Sequence, residues 1–244
     1  MKPSFPVYVF TSDKYLYTLK SFAHLFNKYW DEDQRVIVGG FTPPDFDLPS
    51  NFQFYSIGRM EDYPVDKWSN AIGKFLQHFK DPIFCFMLED YWITGPTNDN
   101  VVDMLADYMR QFEYVIKVDL VTDRRYAKDA IDYGMVGNVP LVKSHYNSPY
   151  HMSLMCGLWN RSHFLKILIP DESPWEVEMR GTTRLAEFED DLVVIGTKSW
   201  NGDNDRLCPV PHTLALRGGD SSKLMLEELK SEDVEELREL GYIE

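Results

Sequence analysis

The run Ile83-Phe-Cys-Phe-Met-Leu88 limits the fold more than any other stretch of the chain. Six apolar residues in a row are too few for most helices. They suit a strand covered on both faces, as inside a parallel sheet. Asp81-Pro82 opens the run, and Glu89-Asp90-Tyr91-Trp92 closes it. Open α/β sheets bind ligands beyond the carboxyl ends of their strands, so Glu89 and Asp90 stand where a site is expected. Their oxygens are hard donors that suit Mg²⁺ or Mn²⁺ holding a diphosphate. An acidic turn after a strand explains the same dipeptide without any ligand.

The flanking pattern extends this strand into an α/β domain. Val7–Phe10 reads as a first strand, and 15–30 as a helix with Leu16, Leu19, Phe22, Leu25 and Phe26 at helical spacing. Strands follow at 35–40 and 52–57, an opening of the β-α-β-β kind found in nucleotide-binding halves. A helix over 67–79 precedes the central strand. A helix from Asn98 to about 112 and a strand over 114–120 follow it. Residues 122–133 read as polar helix or irregular chain, 134–149 as a Gly- and Pro-punctuated loop, 151–159 as a strand and 161–169 as a helix. A late strand covers 192–197, and 200–205 reads as a polar turn. The expected fold is therefore α/β, a mixed and mostly parallel Rossmann-like sheet flanked by helices. One domain spans 1–220, and an acidic helical extension over 221–244 packs on it.

Charge and composition narrow the function. The formal net charge is −14, which repels nucleic acid and anionic membranes at long range. Lys117, Arg124, Arg125, Lys128 and Lys143 are the residues from which a local basic groove could be built. Residues 221–244 carry eight acids and three bases, 3 − 8 = −5. No apolar run approaches the ~20 residues of a membrane span, and Met-Lys-Pro-Ser-Phe-Pro lacks the core of a signal peptide. Cys85, Cys156 and Cys208 have no zinc spacing and read as reduced core residues of a cytoplasmic protein.

Several residues carry chemistry at these places. Thr11, Ser12 and Asp13 end the first strand, where a base or ribose commonly rests; Ser12 or Asp13 also fits a helix N-cap. Trp68 opens the second helix and reads as core. Ser69 and Asn70 lie in its first turn, where amides meet phosphate. In Glu172-Ser-Pro-Trp-Glu-Val-Glu178, Ser173, Pro174 and Glu176 form a capping-box pattern. Glu176 beside Trp175 is also a candidate general base, and Glu178 is a second one facing another way. His212 is a candidate ligand for a metal or pyrophosphate.

Taken in order, these segments resemble a family of small bacterial and phage GT-A-type glycosyltransferases. The resemblance runs over about 7–220. It rests on Ser-Asp-x-Tyr, Trp-Ser at a helix start, Leu88-Glu-Asp-Tyr-Trp92, Trp159-Asn-Arg161, Glu172-Ser-Pro-Trp-Glu-Val-Glu178 and Leu216-Arg-Gly218. Members typically carry Leu-Asp-Asp-Phe-Phe at the first acidic site, so Glu89 departs from the pattern. The resemblance implies a nucleoside-diphosphate sugar as donor (a UDP-sugar first), Mn²⁺ or Mg²⁺ as cofactor, and inverting transfer to a hydroxyl. Asp90 would bind metal, Glu89 metal or ribose, and Glu176 would be the base. A polysaccharide, a lipid-linked sugar, a protein or a modified phage DNA base are acceptors of the implied kind. A non-catalytic module of the same fold is the alternative. A nucleotidyltransferase is a third reading, but that class carries a Gly-rich, basic loop where this chain has Thr11–Tyr17.

Overall fold

The computed structural model describes residues 5–121, 130–145, 148–188, 192–197, 208–216 and 223–244 of the 244-residue chain. Its strands are β1 (Val7–Phe10), β2 (Val36–Gly40), β3 (Phe52–Ser56), β4 (Ile83–Leu88), β5 (Tyr91–Ile93), β6 (Val115–Asp119), β7 (Ile131–Val136), β8 (Val139–Lys143), β9 (Gly157–Asn160), β10 (Val193–Thr197) and β11 (His212–Leu214). Its α-helices are α1 (Leu19–Tyr29), α2 (Trp68–His78), α3 (Asp99–Gln111), α4 (Arg161–Ile167), α5 (Pro174–Ala186) and α6 (Ser231–Glu239).

Nine strands form one sheet in the order β3-β2-β1-β4-β9-β6-β10-β8-β7. β3, β2, β1 and β4 are parallel neighbours, as are β6 and β10. β9 runs against β4 and β6, and β8 against β10 and β7. Seven of the nine strands therefore share one direction, so the sheet is mixed and mostly parallel. β5 and β11 pair separately beyond the end of β4.

The apolar run at 83–88 occupies the middle of this sheet because both of its faces are covered. Ile83, Cys85 and Met87 face a core shared with Leu25 and Phe26 of α1 and Leu105 and Met109 of α3. Phe84 and Phe86 face a second core with Phe75 and Leu76 of α2, Phe164 of α4 and Val177 of α5. A strand with helices on both sides has no polar face, so its sequence shows no alternation. Asn98 caps α3 by accepting from the Val101 amide at 3.4 Å, and Asn160 caps α4. The C-terminal α6 is tied to α1. Asp233 is fully buried and accepts from the Tyr29 hydroxyl at 2.8 Å and from Lys28 Nζ at 2.7 Å. No described helix is long and apolar enough to cross a membrane.

The structure departs from the sequence reading in four places. Residues 131–143 hold a β-hairpin, β7–β8, where a polar segment and a loop were expected. The signal is the Gly137-Asn138 turn with Gly137 at φ 56°, a left-handed conformation that glycine adopts at little cost. Within the expected strand over 151–159, only Gly157 onward pairs. Residues 151–156 are irregular chain. Lys117, read as part of a basic face, is fully buried in β6. In the acidic extension, helix begins only at Ser231. Arg124, Arg125, Lys128, the 200–205 turn and Arg217 onward to Ser222 lie outside the described residues.

A candidate active site at the carboxyl edge of the sheet

Phe10 and Leu88 are register partners, so the chain leaves β1 and β4 side by side. This brings Thr11 and Ser12 against Glu89 and Asp90. Glu89 is only 5% exposed. Burial, and then the charge of Asp90, push its carboxyl up to about 8, against a smaller opposing pull from its own amide, the Thr11 hydroxyl and the Ser12 amide. Burial pushes Asp90 up to about 6, again opposed by its own amide. Among the described residues, no Lys, Arg or His forms an ion pair with either one. A buried carboxyl beside a half-buried one, with no counter-charge, resists double ionisation.

Asp13 is used differently. It accepts from the Thr42 amide at 2.9 Å and the Thr42 hydroxyl at 2.7 Å, tying the end of β1 to the end of β2. Trp68 is half-buried, with its ring 6.5 Å edge-on from Phe86. The Ser69 amide, which would face an anion at the start of α2, donates instead to the Glu172 carbonyl at 3.0 Å. Asn70 pairs with Asp171 through both its amide groups, at 2.9 and 2.7 Å.

The His212 ring packs on the Tyr91 ring, with centroids 5.2 Å apart, while its backbone lies further along the strand than the acids. It pairs with Ile93, whereas it is Ala215 whose amide reaches the Asp90 carbonyl. Three strand residues separate those levels, about 10 Å at 3.3 Å each. His212 Nδ1 lies 3.2 Å from the Val210 carbonyl, and burial lowers the ring's pKa, which keeps it neutral. Among the described residues, no three His, Cys, Asp or Glu side chains are grouped to hold a metal ion.

Three groups that the sequence reading did not join converge on the irregular segment 151–156. Because β9 is antiparallel to β4 and β6, its start at Gly157 lies at the carboxyl ends of both, opposite Phe86 and Asp119. The segment therefore crosses the edge that carries Glu89 and Asp90. Its ends bond to backbone, Cys156 accepting from the Leu120 amide and the His151 amide donating to the Ser148 carbonyl, and between them side chains serve its backbone. Lys117 Nζ donates to the Ser153 carbonyl at 2.6 Å, and the Tyr91 hydroxyl to the Leu154 carbonyl at 3.3 Å. The Leu154 amide donates to Glu178 Oε1 at 2.7 Å, and the Met152 amide to Thr182 Oγ1 at 3.1 Å. Lys117 also pairs with Asp119, both fully buried. A Cβ on Gly157 would lie 2.9 Å from Lys117 Cε and from the Val118 carbonyl oxygen, so only glycine admits this close approach.

Tyr91 and Glu178 bind the same residue, Leu154, through its carbonyl and its amide. Burial raises the Tyr91 pKa well above the usual value, and the charges of Asp90, Glu178 and Glu89 add to that. Glu178 thus belongs to the same edge as the acidic pair. Glu176 is committed elsewhere. Its Oε2 accepts from the Ser173 amide and hydroxyl, each at 2.9 Å, and its Oε1 lies 3.0 Å from Arg180. These contacts, led by the Ser173 amide, hold its carboxyl below the usual range. Sequence reasoning missed Asp119 and Tyr91. A Lys and an Asp two residues apart in an otherwise apolar strand were the available signal, because such residues share a face. A cleft of about 470 Å³ lies elsewhere, on the outer side of α1, lined by Lys20, His24, Lys28, Phe46 and Tyr242.

No protein-family model matches the chain, and no curated protein matches it. Among solved structures, it is similar to CMP:2-keto-3-deoxy-manno-octonic acid synthetase complexed with CTP (10% identity, 80% of this chain and 89% of that one, TM-score 0.44). It is also similar to a cytidylyltransferase from Leptospira borgpetersenii serovar Hardjo-bovis (9% identity, 98% and 95% covered, TM-score 0.44). A third is UDP-glucose pyrophosphorylase complexed with UDP-glucose (8% identity, 80% and 90% covered, TM-score 0.40). At such identities and scores, what those proteins bind and make does not transfer to this chain.

Proposed function

We propose that this chain is an enzyme that moves a sugar from a nucleoside-diphosphate sugar to an acceptor hydroxyl, with Mn²⁺ or Mg²⁺ held at Glu89 and Asp90. The observation that carries the reading is the acidic pair itself: Glu89 buried and Asp90 half-buried, at the end of a central strand, and without a basic partner among the described residues. The donor set fits a hard divalent cation that takes one or two carboxylates and fills its other positions with diphosphate oxygens and water. Bound there, the cation supplies neutralisation of the charge that builds on the departing diphosphate.

The chain's own groups do the remaining work. Glu178 takes the proton of the acceptor hydroxyl. That oxygen bonds to the anomeric carbon as the bond from this carbon to the diphosphate breaks, and the nucleoside diphosphate leaves with the electron pair. Attack from the opposite face inverts the sugar. Support for Glu178 comes from its carboxylate being fixed by the Leu154 amide and from its shared influence on Tyr91 with the acidic pair. Glu176 is a weakened base, stabilised as a carboxylate by Ser173 and Arg180. Thr11 and Ser12 lie beside Glu89, where a ribose or base would meet them.

Nucleotidyl transfer attacks a phosphate and calls for a basic, Gly-rich loop after the first strand. Thr11–Tyr17 has one lysine and no glycine. A non-catalytic module that binds the nucleotide sugar is the second reading, favoured by the commitment of Glu176 to its helix cap. Incubation with UDP- and GDP-sugars in Mn²⁺ separates the two. Release of nucleoside diphosphate that disappears in Asp90→Asn supports transfer. Binding without release supports the module.

A further inference from the structure

Lys117 is a buried cation that the proposed chemistry leaves unused. It has no exposed surface. Its ammonium group meets Asp119 as counter-charge, the Ser153 carbonyl at 2.6 Å and the Trp159 ring at 5.1 Å from the centroid. Taking an ammonium out of water is costly even when it is paired. A neutral donor would fasten one carbonyl at lower cost. What lysine adds at this position is charge.

That charge is aimed at a single peptide group. The Ser153 carbonyl and the Leu154 amide belong to the same planar unit, and in a trans peptide they point opposite ways. Lys117 bonds the carbonyl at 2.6 Å, and Glu178 Oε1 accepts from the amide at 2.7 Å. A cation therefore pulls on the oxygen of the very peptide whose N–H holds a carboxylate. Both bonds are as short as charge-assisted ones. Each strengthens the other, because electron density drawn towards the ammonium leaves the N–H more positive. The unit is also held in place. Ser153 Oγ accepts from the Met155 amide at 3.2 Å, and the Leu154 carbonyl accepts from the Tyr91 hydroxyl at 3.3 Å. Gly157 leaves the lysine stem the room to reach it.

We infer that Lys117 is a positioning residue for Glu178: across the Ser153–Leu154 peptide it orients the carboxylate and keeps it ionised. This rests on the reading of Glu178 as the base of sugar transfer. A protonated Glu178 takes no proton from an acceptor. Carboxyls crowded at this edge hold their protons, as Glu89 and Asp90 do. A hydrogen bond to the charged form favours that form, and Lys117 strengthens the one that Glu178 receives. Tyr91, Asp90, Glu89 and Cys156 share these surroundings with Glu178. His151, at the head of the crossing segment, is turned to Ser144 at 3.0 Å. The substitutions below leave all of these in place.

Carboxyl-carbon NMR of the full chain, labelled at glutamate, tests the inference without turnover, the Glu178 signal being assigned by its loss in Glu178→Gln. Lys117→Gln keeps a neutral donor beside Asp119. Lys117→Met/Asp119→Asn removes both charges, so that neither is left buried alone if the first variant fails to fold. In both, Glu178 should bind its proton roughly threefold more tightly or more. The acidic limb of the pH profile of kcat should move to higher pH by the same factor, with the KM for nucleotide sugar unchanged. In the wild type, the ammonium-nitrogen signal of Lys117 should follow the titration of Glu178. Glu178 titrating at the same pH in the wild type and the folded variants overturns the inference, even where turnover falls. So does a Lys117 signal indifferent to Glu178. A tighter proton on Glu178 in a protein that turns over no nucleotide sugar keeps the coupling and removes the base reading.

Discussion

Ser69 and Glu172 exchange hydrogen bonds between the starts of two helices. The Ser69 amide donates to the Glu172 carbonyl, and the Glu172 amide to Ser69 Oγ, each at 3.0 Å. Two segments 103 residues apart are thereby locked at one edge of the sheet. Both residues are buried, so Ser69→Ala leaves the Glu172 amide without its acceptor. The expected loss is about 1–3 kcal/mol, or roughly 2–8 °C in melting temperature, read by thermal denaturation. Ser69→Ala should also loosen the α5 start, seen as faster amide exchange at 174–178.

The two glutamates of α5 should separate by phenotype. Glu178→Gln should lower turnover at least a hundredfold with little change in nucleotide binding. Glu176→Gln should leave turnover within a few-fold and lower the melting temperature only slightly, because glutamine also serves at this position of a capping box. Steady-state kinetics beside melting curves of both variants decide this. The reverse pattern would return the base to Glu176.

The acidic pair gives the metal-free protein an inverted pH dependence. In an unfolded chain these carboxyls ionise near about 4. In the folded chain, burial raises Glu89 to about 8 and Asp90 to about 6. Between those values the unfolded chain has lost protons that the folded chain keeps. Stability from these groups is therefore complete at low pH, falls as pH rises through this window, and levels above about 8. Glu89→Gln should remove most of the fall, an effect on the order of 4 kcal/mol at pH 8. Urea denaturation of both proteins with chelator present, from pH 5 to 9, measures it.

Asp233 anchors the C-terminal segment through Tyr29 and Lys28. Asp233→Asn removes the charge that both donors face and should cost about 2 kcal/mol. Amide exchange should rise in α6 and leave the central strands protected. A uniform rise across the sheet would instead show that α6 unfolds only with the whole molecule.

How much of this was legible in the chain follows from the reach of each signal. The run at 83–88 announced a strand covered on both faces, and Ser173-Pro-Trp-Glu176 announced a capped helix, because both patterns are local. The pairing of Thr11 with Glu89 was implicit once both were placed at strand ends. The 151–156 segment was not legible. Its apolar residues read as strand, yet the backbone of Ser153 and Leu154 is bonded by Lys117, Tyr91 and Glu178 from three other elements. Lys117 looked like surface charge because sequence does not reveal a buried partner at Asp119. The β7–β8 hairpin was hidden by Gly134 and Pro140, which read as loop but are tolerated beside a bulge in the pairing.

The central claim is a cation-dependent nucleotide site at Glu89 and Asp90. A thermal-shift screen of nucleoside diphosphates and nucleotide sugars, with and without Mn²⁺, tests it most directly, run on the wild type and Asp90→Asn. A ligand at ~100 times its dissociation constant should add roughly 2.7 kcal/mol of stability. The account predicts a shift with one nucleobase that requires Mn²⁺ and vanishes in Asp90→Asn. A shift that is indifferent to Mn²⁺ and to Asp90, or no shift with any nucleotide, would contradict it.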